Sequence, residues 1–172
     1  MFDRPSWTFA TAATLALTAA AAPARAATPA TQATNTATVV RPVSVVKTKD
    51  MDFGALTVTT AGTAVIEPNA DTISATGGVL LAGGTPHSAE FLGSAESSQV
   101  VNIRVPNQPS TLTRVGGTET VILSNFTLQG QSKRAIAAAT SFAFRVGGTL
   151  NVNANQVPGT YAGTFTVTVQ YP

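Results

Sequence analysis

The chain has 172 residues, 44% of them hydrophobic and 10% charged, with a formal net charge of +2, one histidine and no cysteine. This is one-domain length with enough apolar content for a real core, and the near balance of charge excludes nucleic acid or an anionic membrane as an electrostatic partner. Without cysteine there is no disulfide and no thiolate for catalysis or zinc, so the fold must be held by packing or by assembly with neighbours.

The first residues read as an export signal: Arg4 in a short polar lead, an apolar and alanine-rich run from Trp7 to Ala22, and Ala24-Arg25-Ala26 as a small-residue cleavage site. Residues 1–26 are expected to be removed, leaving a net charge near +1. The run is shorter than the roughly 20 predominantly apolar residues of a spanning helix, and no later stretch is long enough. The mature chain is therefore expected to have no membrane span and to reside in the periplasm, at the cell surface or in the extracellular medium. Residues 27–38 are Ala, Thr, Asn, Gln and Pro, too poor in large apolar groups to offset ordering entropy, and read as a flexible leader. A single β-sandwich domain is expected over 39–172.

Short β-rich runs bounded by turn residues follow, with no amphipathic helix. The expected strands are Val39 to Val46, Met51 to Thr59, Thr63 to Glu67, Gly78 to Leu81, His87 to Leu92, Gln99 to Val105, Thr118 to Leu128, Ser141 to Val146, Thr149 to Asn153, and the tail from Thr160 to Tyr171. Gly83-Gly84-Thr85, Gly116-Gly117-Thr118 and Gly147-Gly148-Thr149 read as tight turns. Lys133 to Thr140 is alanine-rich and is assigned to a loop. The tail has the cleanest alternation. Tyr161, Gly163, Phe165, Val167, Val169 and Tyr171 share one face, and threonines dominate the other. Burying Phe165, Val167, Val169 and Tyr171 would contribute roughly 6 to 12 kcal/mol, comparable to a domain's net stability, which predicts a position in mid-core. Many short strands with Gly and Pro turns point to an all-β fold, an immunoglobulin-like antiparallel β-sandwich ahead of a small barrel.

Catalytic chemistry is not visible. His87 is the only histidine, alternates with Ala89 and Phe91, and reads as a strand residue at the edge of the core. Asp50 and Asp52 lack the glycine and the later glutamate of a calcium loop and read as solvated charges. Glu67, Asp71, Glu90, Glu96 and Glu119 are scattered, with no sign of a paired-carboxylate cleft. No catalytic residue, cofactor or metal site is expected. Asn125-Phe126-Thr127 matches a glycosylation acceptor but falls within an expected strand. Lys133-Arg134 reads as a wet loop pair.

Gly159, fourteenth from the end, and the penultimate Tyr171, with alternating apolar residues between them, resemble the C-terminal signature of chaperone-usher pilus subunits. Asp50-Met51-Asp52-Phe53-Gly54, Gly77-Gly78-Val79, Gly83-Gly84-Thr85-Pro86, Val146-Gly147-Gly148-Thr149-Leu150 and Pro158-Gly159-Thr160-Tyr161 resemble the bacterial family called domain of unknown function 4402, itself similar to spore-coat-U-type and pilin-like exported proteins. The pilin likeness implies a C-terminal assembly strand, formed by Gly159, Tyr161, Phe165, Val167, Val169 and Tyr171, that a periplasmic chaperone would grip. It also implies a donor strand at Val39 to Val46, with Val39, Val43 and Val45 entering the open groove of the next subunit. An ordinary first strand folded back on its own sheet explains Val39 to Val46 equally well. The expected function is a non-enzymatic, exported, pilin-like structural subunit that assembles with copies of itself or other pilus subunits by β-strand exchange into a surface fibre. The alternative is a self-contained secreted binding module for surface glycan or protein.

Overall fold

Every element within residues 36–137 and 141–172, the part described by the computed structural model, is a β-strand. The export segment expected over 1–26, the leader as far as residue 35, and residues 138–140 of the alanine-rich stretch lie outside the described residues. In chain order the strands are β1 (Ser44–Lys49), β2 (Ala55–Glu67), β3 (Thr72–Gly83), β4 (Ala89–Ser94), β5 (Val100–Arg104), β6 (Ser110–Arg114), β7 (Thr120–Leu128), β8 (Lys133–Ala135), β9 (Ser141–Val152), β10 (Tyr161–Ala162) and β11 (Thr168–Gln170).

All pairings are antiparallel. β9 is the spine of an eight-stranded sheet: one of its edges carries β4 along Ser141–Val146 and then β2 along Gly148–Val152, and β7 runs along the other. β1 lies outside β4, β3 outside β2, and β6 and then β10 lie beyond β7. A second sheet is ordered β11-β5-β8. The result is an all-β, sandwich-like arrangement of curled antiparallel sheets. Phe144, Val146, Leu150 and Val152 alternate inward along β9. The last two join Ala64, Ile66, Val79, Val121 and Leu123 in one cluster, while Phe144 and Val146 meet Ala89 and Ile103 in another.

Several expected boundaries are corrected. The first strand starts at Ser44, not Val39, because Pro42 has no amide to donate to a ladder. Met51 to Thr59 and Thr63 to Glu67 are not two strands: from Ala55 onward they form β2, with a bulge at Thr59–Ala61 taking up the irregularity against β3. Ser141 to Val146 and Thr149 to Asn153 likewise merge into β9, and Gly147-Gly148 is strand interior instead of a turn. Glycine serves there for close approach: a Cβ on Gly147 would lie 2.2 Å from the Ile66 carbonyl oxygen and 2.7 Å from Pro68 Cδ. Lys133–Ala135 pairs with β5, so the first part of the expected loop is a short strand. β6 was not expected from the alternation of Ser110–Arg114, whose apolar content is a single leucine.

The β2–β3 hairpin cannot run straight. At one end of β3 the Asp71 carboxylate accepts hydrogen bonds from the Ser88 backbone N–H (2.8 Å) and hydroxyl (2.6 Å), and at the other Gly83 and Gly84 lie against Gly54. Five residues of chain from Gly83 to Ser88 reach at most about 18 Å, whereas the twelve residues of β3 would extend about 40 Å if straight. The corner falls at Gly77, with φ of +69° and opposite the β2 bulge. Val79 beyond the corner and Ala64 before it thereby share one cluster.

Ser88 is fully buried, and its hydroxyl is satisfied by Asp71. The Ser88 hydroxyl, then the Ser88 amide, hold the Asp71 carboxyl below its ordinary value. Asp71→Ala strands both donors and forces alanine to a φ of 54°, and we expect a loss of about 1 to 3 kcal/mol in urea denaturation. Asp71→Asn, which keeps an acceptor and tolerates that backbone, is expected to lose markedly less.

Candidate assembly groove

The tail joins the two sheets. Tyr161 and Ala162 pair with Arg114 and Thr113 of β6, Thr168–Gln170 pairs with Arg104, Ile103 and Asn102 of β5, and residues 163–167 between them have no ladder partner among the described residues. Tyr161, Phe165, Val167, Val169 and Tyr171 are half-buried while Ala162, Thr164, Thr166, Thr168 and Gln170 are exposed. The alternation therefore survives, but the expected mid-core position does not. The row is only partly covered, because the tail lies on the rim of the core with no strand beyond it among the described residues. Gly163 is exposed, and a Cβ there would lie 2.6 Å from the Thr111 carbonyl oxygen and 3.2 Å from Leu112 Cγ.

Each end of this tail is pinned by a tyrosine. Tyr161 donates its hydroxyl hydrogen to the Val157 carbonyl (2.6 Å) and accepts from Gln156 Nε2 (2.6 Å), which closes the loop before it. Tyr171 donates to the Arg41 carbonyl (2.8 Å) and accepts from the Glu96 amide (2.8 Å). In the middle, Phe165 packs between Phe126, at 5.0 Å between ring centroids, and Phe91, edge-on at 6.4 Å. Phe126 reaches this position because β7 bulges after Ser124, with Asn125 at a φ of 48°. Asn125 itself is exposed.

Along the unpaired stretch runs a cleft of about 400 Å³, lined by Met51, Phe53, Phe91, Leu112, Tyr161 and Phe165, with Lys47 and Asp50 among its polar lining residues. Its lining is mostly apolar, and the backbone of residues 163–167 beside it has no backbone hydrogen-bond partner among the described residues. Such a site can take an extended segment that adds hydrogen bonds to the tail and apolar side chains to the cleft.

Gly159 stands at the start of the tail, with a φ of 154°, where a Cβ would lie 2.7 Å from Arg114 Cδ. That approach lets the arginine reach Glu119 through contacts of 2.6 and 3.2 Å. The Arg114 hydrogen bond draws the Glu119 carboxyl down to about 2 from an ordinary 4.5. The signal for this pair in the sequence is its placement on either side of Gly116-Gly117.

The residues expected to form a donor strand divide. Val43 is half-buried against Ala95, Val101 and Ile136, and Val45 is half-buried against the cluster around Phe144, opposite Gly93 of β4. Val39 is 96% exposed. In this structure β1 is thus seated on the chain's own sheet. The residues examined for chemistry do not converge. His87 bridges Asp52 through backbone hydrogen bonds, Asp50 pairs with Lys47, Asp52 accepts from the Gly54 amide, and Glu90 pairs with Arg145 at 2.9 Å. Among the described residues no group of three or more His, Cys, Asp or Glu could hold a metal, and no helix is long and apolar enough to cross a membrane.

Two outcomes are expected. Tyr171→Phe removes both hydroxyl contacts and should cost about 1 to 3 kcal/mol, with faster hydrogen exchange at the Glu96 amide, which loses its acceptor. For Glu119, whose folded pKa is depressed, the stabilising contribution is complete above about pH 4.5 and is lost as pH falls towards 2. Its carboxyl carbon, followed by NMR, should titrate near 2 and move back towards 4.5 in Arg114→Gln.

No curated protein and no solved structure matches the chain. A match does come from the sequence pattern of the family described as Domain of unknown function (DUF4402), and it spans residues 43–171. It begins where Val43 seats the first strand and ends on the tyrosine that fastens the tail to that same segment, so it takes in all eleven strands, and the chain belongs to the DUF4402 family.

Proposed function

We propose that the chain is an exported, non-enzymatic, pilin-like structural subunit that assembles into a surface fibre by strand exchange, working in the periplasm or beyond it. One observation carries the reading: a tail pinned at both ends by Tyr161 and Tyr171 and unpaired in its middle, beside an apolar cleft. A strand added along residues 163–167 would complete the backbone hydrogen bonding there and cover Phe165 and Val167. A periplasmic chaperone would fill this place before assembly and a neighbouring subunit after it. The donor is the end of the chain ahead of β1. Val43 and Val45 already serve their own core, so donating the whole of Val39 to Val46 would empty it, whereas exposed Val39 and Val40 are free to enter a neighbour.

Purified subunits mixed at increasing concentration are expected to form linear polymers visible by electron microscopy. Deleting residues 27–40 should abolish them while leaving β1 and the sheet signal in circular dichroism intact. Polymers indifferent to that deletion, or monomers throughout, would overturn the reading. Monomers that bind a surface glycan or protein saturably would favour a self-contained secreted binding module instead.

A further inference from the structure

The smaller sheet, β11-β5-β8, turns Val101, Ile103 and Val169 towards the core. On its other face the register sets Gln170 opposite Asn102 and Asn102 opposite Lys133, with Thr168 opposite Arg104 in the next row. Thr168, Gln170, Arg104 and Lys133 are exposed and Asn102 is half-buried. Because Lys133 opposes Asn102, two residues along β5 from Arg104, the two cations are diagonal neighbours, about 7 to 8 Å apart at Cα. Val100 and Ala135, opposite one another, bring the only apolar side chains of these three strands to this face.

The charge of this sheet is of one sign. Residues 97–109, 129–140 and 160–172, which supply its strands and their flanks, contain Arg104, Lys133 and Arg134 and no Asp or Glu. Elsewhere cations have acidic partners: Arg41 has Glu96, Lys47 has Asp50, Arg114 has Glu119 and Arg145 has Glu90. Arg104 and Lys133 have no ion-pair partner among the described residues. Arg134 turns the other way, donating to the carbonyls of Gln131 and Ala143 (each 2.9 Å), and adds its charge behind the face.

We infer that this face binds an acidic polysaccharide, a polymer of uronate-bearing sugars. Guanidinium and ammonium groups pair with carboxylates. The amides of Gln170 and Asn102 and the hydroxyl of Thr168 both donate and accept, as sugar hydroxyls require. The two charges lie on a diagonal across the strands, which suits an extended chain that carries carboxylates at intervals along it. Other partners match less of the face. It has no aromatic side chain on which a base could stack or a protein could anchor, and a neutral glycan would leave both cations without a counter-charge. The face shares no residue with the cleft beside the tail, so the inference does not rest on strand exchange.

Binding of the purified protein to polygalacturonate is expected to be saturable and to weaken as sodium chloride is raised. Neutral dextran, which offers hydroxyls without carboxylates, should bind at least about tenfold more weakly. Lys133→Gln and Lys49→Gln remove the same charge from exposed positions on different sheets and should both leave the circular dichroism unchanged. The first should weaken polygalacturonate binding several-fold and, combined with Arg104→Gln, at least about tenfold; the second should leave it as it was. Binding should persist in the variant lacking residues 27–40, so that failure of the fibre and failure of this face are told apart. No binding, a loss from Lys49→Gln equal to that from Lys133→Gln, or a preference for single-stranded DNA or anionic lipid vesicles over polygalacturonate would overturn the proposal.

Discussion

The architecture depends on what β9 does at its midpoint. Up to Val146 its outer neighbour is β4, and from Gly148 it is β2. The change of partner requires the end of β2 to press onto the spine where Gly147 offers no side chain, with the Ile66 carbonyl and the Pro68 ring in the space a Cβ would need. Both inner clusters draw on β9 residues on either side of that point. A side chain larger than hydrogen there would push β2 outward and with it the doubled hairpin that carries Val79.

A chain without disulfides must fasten its periphery by other means. Here tyrosine hydroxyls do so, one closing the loop into the tail and the other joining the last strand to the chain ahead of β1. Between those fixed points the backbone has no ladder partner among the described residues, and the aromatic contacts around Phe165 hold it in place without sealing it. Rigid ends and an unsatisfied middle suit a site that receives a strand, because little ordering is left to be done on binding.

Legibility in the sequence followed the physics of each element. The all-β class and the alternation of the tail were readable because period-two patterning reports directly which residues share a side. Gly147-Gly148 was misread because a glycine pair looks alike whether it turns the chain or admits a neighbouring backbone, and only the packed partner distinguishes the two. β6 and β8 were missed since their residues are mostly polar and they exist through pairing with β7 and β5. Of the candidate site, the tail residues could be named from their order alone. Their partial cover could not, since it depends on what stands beyond the edge, and neither could the reach of the Tyr171 hydroxyl across 130 positions to Arg41.

That last contact brings the chain's way in and its way out to a single pole of the folded body. A segment appended after Pro172 would leave the sheets close to Arg41. Joining Pro172 back to Arg41 would need only a short bridge and would leave every strand in its present register.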